Sequence, residues 1–220
     1  MKDFADLLWP RILRLTAAQI DARNKEDDQD VAAIRAADWS QDSELALEEA
    51  RGLAAAEKER RAGAESKASI YLAAVAAVVP IALPICTAFY GETFVKLPLP
   101  LQFVTLLLFF ATTAYLIGAA WWAFRTFRVS VHHRIDAVEY ARIWSEKGQS
   151  ARLIAELFIV TRLNRHMVNW KTTCVRQAHE FLLRVLISFT ALFMLVVSWQ
   201  PVLTLWRFSK NYVARLLEAC

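Results

Sequence analysis

Three stretches of this chain, Ala68–Tyr90, Leu101–Phe124 and Val185–Trp206, each run about twenty residues without one Lys, Arg, Asp, Glu or His. A helix rises about 1.5 Å per residue, so each stretch can cross a hydrocarbon core about 30 Å thick. A soluble helix of that length keeps a polar stripe toward water, and these have none. The expected fold is therefore all-α: an integral membrane protein of about three transmembrane helices, with no period-two strand pattern anywhere. Although 56% of the 220 residues are hydrophobic, the 22% that are charged gather in two blocks, Met1–Lys67 and Arg125–Arg184. That division predicts a cytosolic lead and stalk over 1–67 and a transmembrane hairpin over 68–124. A cytosolic helical region over 125–184, a third transmembrane segment over 185–206 and a short tail over 207–220 complete it.

Orientation follows from the basic residues. Lys58, Arg60, Arg61 and Lys67 precede the first run and Arg125, Arg128 and Arg134 follow the second, whereas the hairpin between them holds only Lys96. The positive-inside rule then predicts a cytoplasmic N-terminus and a hairpin tip on the outside. Three full spans would leave Arg207, Lys210 and Arg215 outside, against the rule, and Gln200-Pro201 interrupts the last run. The third segment is thus either a full span or a re-entrant one; the apolarity of Val185–Trp199 favours the span. The net charge of +4 fits flanks that meet anionic lipids. Without a basic stripe interleaved with aromatics, no direct nucleic-acid binding is expected. The start, MKDFADLLWPRIL, lacks a continuous apolar core, so the first span is expected to serve as its own targeting signal.

In the N-terminal block, Phe4, Leu7, Leu8, Ile12 and Leu15 share one face of a helix expected from Asp3 to about Ala22. Trp9, Arg11 and Arg14 suit it either to the membrane surface or to a cytosolic neighbour. Asn24–Asp30, NKEDDQD, reads as a charged break. Asp42 then precedes a long helix rich in Ala, Glu, Lys and Arg, either a solvated stalk or a weak coiled coil. Within the first run Pro80 and Pro84 predict a kink, and Ala68, Ala73, Ala74, Ala76 and Ala77 would permit close helix approach. Trp121 and Trp122 suit the headgroup level. Between the second and third runs a helix is expected over Arg134–Lys147, with a break at Gly148–Ser150. A continuous helix, capped by Ser150, then carries Leu153, Leu157, Val160, Leu163, Met167, Trp170 and Cys174 on one stripe into the last run.

Little here carries chemistry. His132, His133, Asp136 and Glu139 offer metal-ligand types without a clear third ligand on one face. Cys86, Cys174 and Cys220 make no close pair, which excludes a disulfide framework or a CxxC site. Cys174 and His179 face apart on a helix, and no glycine-rich turn would hold a phosphate or an oxyanion. No catalytic, cofactor or metal residues are therefore expected. No ionisable group lies within the runs, so their polar lining reduces to Thr105, Thr112, Thr113, Tyr115, Ser188, Thr190 and Ser198. These either line a pore built by oligomerisation or hydrogen-bond helix to helix.

The charged lead ending in ERRAGAESKAS, the apolar hairpin, and a helix carrying NRHMVNWKTTCVRQAHEFL into a last span resemble small bacterial anti-phage membrane effectors. The similarity is to the Pycsar transmembrane effectors and the SLATT group, and it covers Glu57 to the third run. It implies a non-enzymatic, quiescent homo-oligomer that breaches the inner membrane when triggered by a sensor or activator protein, with membrane lipids as its other partner. The alternative is a membrane anchor or scaffold whose cytosolic helices recruit a partner. From the residues themselves, Asn164, Arg165, Asn169 and Lys171 form a candidate coupling segment, since the two Asn are poor helix formers amid gathered positive charge. A solvated face is the other reading. On the coupling reading, Lys171→Glu leaves insertion intact and lowers activity.

Overall fold

A computed structural model of the chain describes residues 9–10, 15–90, 94, 97–128, 133–145 and 149–218. At 82, 83, 85, 86, 88–90, 196, 197 and 199–218 it describes the helical backbone alone. Expectations for Phe4, Leu7, Leu8, Arg11, Ile12, Arg14, Lys96, His132, Gly148 and Cys220 lie outside the described residues. Among the described residues the helices are α1 (Ala17–Ala36), α2 (Ser43–Tyr90), α3 (Leu99–Phe127), α4 (Ala137–Trp144) and α5 (Gln149–Glu218). Among the described residues no strand occurs, and three helices are long and apolar enough to cross a membrane. The chain divides into one unit of Met1–Ile70 with Trp122–Gln177, and a second of Tyr71–Trp121 with Ala178–Cys220.

Helix starts follow from local chemistry. Thr16 caps α1: its Oγ1 accepts from Gln19 N–H while the Gln19 side chain accepts from Thr16 N–H, a reciprocal capping box. Helix α1 therefore starts at Ala17 and runs through Asn24–Asp30, where the sequence predicts a break. Asp and Asn are weak helix formers, but here the carboxylates of Asp27 and Asp30 are held by α5, as described below. The Trp39 indole N–H then donates to Ile34 O at the C-terminal end of α1, 2.8 Å away. Asp42 enters α2 at φ 51°, a left-handed conformation that Asp tolerates better than most residues. Asp136 and Glu139 form the capping box of α4, so that helix begins three residues later than expected.

Helix α5 begins at Gln149, which puts Ser150 inside it rather than at its cap. It continues unbroken through Gln200 and Pro201 to Glu218, so the 185–206 segment is not re-entrant and the tail is largely helical. Pro80 and Pro84 likewise lie inside α2, which remains α-helical across both.

In the first unit, Ile154, Val168 and Cys174 of α5 are fully buried and Ile143 of α4 is nearly so. Burying an Ile or Val side chain stabilises by about 1.5–3 kcal/mol. In the second unit α3 and α5 meet where Gly118 faces Phe181. A Cβ at Gly118 would lie 2.7 Å from the ring, so only glycine allows this approach. Small residues are buried at Gly118 and Ala119 of α3; of the alanines of the first run Ala68 is fully buried, whereas Ala73, Ala74, Ala76 and Ala77 are exposed. Leu99, Phe103, Leu107, Phe110, Ile117 and Trp121 stand exposed along α3. An uncovered apolar stripe of that length is suited to lipid and not to water.

Candidate functional site

The candidate coupling residues of α5 each engage a different part of the first unit. Lys171 is almost fully buried, and its Nζ donates to Glu65 Oε1 of α2 at 2.6 Å and to Thr126 O of α3 at 2.8 Å. Thr126 is the penultimate residue of α3, so its carbonyl is one of those the helix cannot satisfy internally. A cation there also complements the negative end of the helix dipole. Glu65 receives Arg61 as well, at 3.1 Å. The Lys171 ammonium, hydrogen-bonded to the Glu65 carboxylate, is the largest influence holding that carboxyl below its ordinary range. One buried ammonium thus ties three helices together.

Asn164 is buried and makes a two-way bond with the strand-like backbone at His133. Its Oδ1 accepts from His133 N–H at 3.0 Å and its Nδ2 donates to His133 O at 2.7 Å. Asn169 accepts from Arg60 of α2 at 3.0 Å. Helix α5 is not interrupted at either Asn; the backbone it would otherwise disfavour is offset by these bonds. Arg165 and Asn169 are on the exposed side. The solvated-face reading therefore fails for Asn164 and Lys171. Lys171→Glu would set two carboxylates face to face, so it would remove the Glu65 contact as well as any coupling.

Sequence reasoning missed the partners of Arg162 and His166. The Arg162 guanidinium lies 2.6 Å from Asp30, 3.1 Å from Asp27 and 3.8 Å from Glu26, and His166 Nε2 lies 2.9 Å from Asp27. The hydrogen bond that Arg162 Nε donates to Asp30, joined by the charges of Asp27 and Glu26, raises the Arg162 pKa further. No residue of α1 is buried, so α1 is attached to α5 chiefly through charge. Trp39, stacked on Phe158 of α5 at 4.9 Å, adds one aromatic contact at the end of α1. Nearby, Arg125 lies 5.0 Å from the Trp122 ring and 5.5 Å from the Trp170 ring. Trp122 therefore packs within the protein, while Trp121 remains exposed as an interfacial residue would.

The remaining candidates have structural partners. His133 is engaged through its backbone, and Asp136 and Glu139 serve as the α4 cap. Among the described residues no three His, Cys, Asp or Glu side chains come together as a metal site. Cys174 is a buried free thiol. Thr112 and Ser188 hydroxyls meet at 2.9 Å between α3 and α5, which is the helix-to-helix bonding alternative for those two residues. Thr105 turns back to Leu101 O. Thr113 and Thr190 are exposed. Compared with known proteins, the chain matches no family model, no curated protein and no solved structure.

Proposed function

We propose that this chain is a non-enzymatic membrane effector that permeabilises the bacterial inner membrane when triggered, in phage defence, acting as a homo-oligomer. The observation that carries the reading is the build of α2 and α5. Each is one unbroken helix holding both a member of the buried Lys171–Glu65 pair and an apolar run. A signal that separates the pair would act directly on two membrane helices. The resemblance in the ERRAGAESKAS and Asn164–Lys171 segments supports the defence context, with a sensor or activator protein as the trigger. The N-terminus is cytoplasmic in this reading, so reporters fused after Lys67 and near Gln149 should both signal cytoplasm.

The anchor or scaffold reading has its own support in α4. There Tyr140 and Trp144 stack at 6.1 Å and, with Val138, remain exposed, a face open to a partner protein. Inducible expression with a potential-sensitive dye and a dye-exclusion stain separates the two. Loss of potential on triggering supports the effector. Full expression of the triggered system with potential and dye exclusion intact would refute it.

A further inference from the structure

The second apolar run ends at Phe124, and Arg125 follows it directly on α3. Within the first unit the Arg125 guanidinium lies 5.0 Å from the Trp122 ring and 5.5 Å from the Trp170 ring of α5. The two rings meet edge to face at 6.4 Å, so residues of both helices fix the cation. Ring faces attract the charge but leave the five N–H donors of a guanidinium without acceptors. Among the described residues the Arg125 side chain makes no hydrogen bond and no ion pair. Glu65, the carboxylate that α2 brings to this end of α3, is taken by Lys171 and Arg61. Arg125 is part-buried, and none of its nitrogens is sealed from outside. Arg128 N–H closes on Arg125 O at 3.3 Å, which keeps the two side chains on one face of the helix end. Arg128 is exposed and, among the described residues, also without an ion pair.

Two unpaired guanidinium groups on one face call for an anion. Phosphate suits them, because a guanidinium fork takes two oxygens of one phosphate at once. The setting decides the source of that phosphate. Phe124 is 65% exposed and lies four residues before Arg128, so apolar surface continues from the cations into the run. Free phosphate gains nothing from that surface, whereas the acyl chain of a phospholipid does. We propose that Arg125 and Arg128 hold the phosphate of an anionic phospholipid, its acyl chain along Phe124, with Trp122 and Trp170 fixing the Arg125 guanidinium. A net negative headgroup is preferred to a zwitterionic one, whose ammonium would bring a third cation to the two arginines. The site requires that the chain span a membrane, not that it permeabilise one, so either reading can fail alone.

Lipid retention by the full-length protein tests the site. The protein is held in mild detergent with equal amounts of phosphatidylglycerol and phosphatidylcholine, and the lipid that stays bound is read by native mass spectrometry. The natural protein should retain phosphatidylglycerol over phosphatidylcholine by about fivefold or more. Arg125→Gln and Arg128→Gln should each lower that retention about fivefold, while Arg51→Gln, exposed on α2, should leave it within about twofold. Arg125→Lys should also lower it, by about threefold or more, since lysine keeps the charge but neither the fork nor the ring stacking. Full retention by Arg125→Lys, or an equal fall with Arg51→Gln, would mean diffuse attraction only and overturn the site. Equal retention of the two lipids by the natural protein would overturn it without any variant, so a substitution that fails to fold leaves the test standing. Displacement of phosphatidylglycerol by millimolar inorganic phosphate would make free phosphate the ligand and refute the lipid assignment.

Discussion

Removing the Lys171 ammonium tests whether one ion pair holds the helices of the first unit together. In Lys171→Met the side chain keeps its length, but Thr126 O loses its donor and Glu65 retains only Arg61. An unsatisfied buried carbonyl costs about 1–3 kcal/mol. Breaking a fully buried pair costs about 3–5 kcal/mol, which must be reduced here because Glu65 is one-third exposed. We expect a loss of about 2–3 kcal/mol for Lys171→Met and about 2 kcal/mol for Glu65→Gln. The double variant should lose little more than Lys171→Met alone, a coupling of about 1–2 kcal/mol. Denaturant unfolding in detergent micelles, followed by circular dichroism and tryptophan fluorescence, gives all four values. If the single losses add to within about 0.5 kcal/mol, the two residues do not act as a pair and the reasoning fails.

Acidification probes the same pair by another route. The Glu65 carboxyl has its pKa lowered on folding, so its contribution is complete above the ordinary glutamate range and disappears as pH falls through the folded value. The melting temperature of the natural protein should thus drop more steeply below about pH 4 than that of Lys171→Met, as read by a pH series of thermal melts. Arg162→Ala should free α1, raising protease cleavage within Asn24–Asp30 while α5 stays protected, and about 1 M salt should weaken the same contact in the natural protein. Gly118→Ala should push against the Phe181 ring and cost about 1–3 kcal/mol in micelles; a neutral result would mean that α3 and α5 separate freely. Ser188→Ala should cost only about 0.6 kcal/mol, because Thr112 can still bond Leu108 O.

The long elements were legible because their signal is collective: no local detail alters what about twenty uncharged residues do in water. The continuity of α5 into the third run was also readable, since no Gly or Pro occurs between Ser150 and Glu180. Misreadings arose where charge was judged one segment at a time. NKEDDQD looks like a break on propensity alone, and only Arg162 and His166, more than a hundred positions later, explain why it is helical. Two starts could have been found earlier, because Thr16-x-x-Gln19 and Asp136-x-x-Glu139 are capping boxes in plain sight. The meeting of Thr112 with Ser188 was not legible. It depends on how α5 is registered against α3, which no single helix encodes.

The bond from Lys171 to Thr126 O also bears on the order in which the protein is made. Phe127 ends α3 with no glycine after it to turn the chain, and the donor that satisfies Thr126 lies 45 residues downstream. During synthesis the end of α3 must therefore wait, hydrated and prone to fraying, until α5 has emerged. The hairpin is inserted first and secured afterwards. A ribosome stalled before residue 171 would display a hairpin whose α3 end is still open to proteases and chaperones.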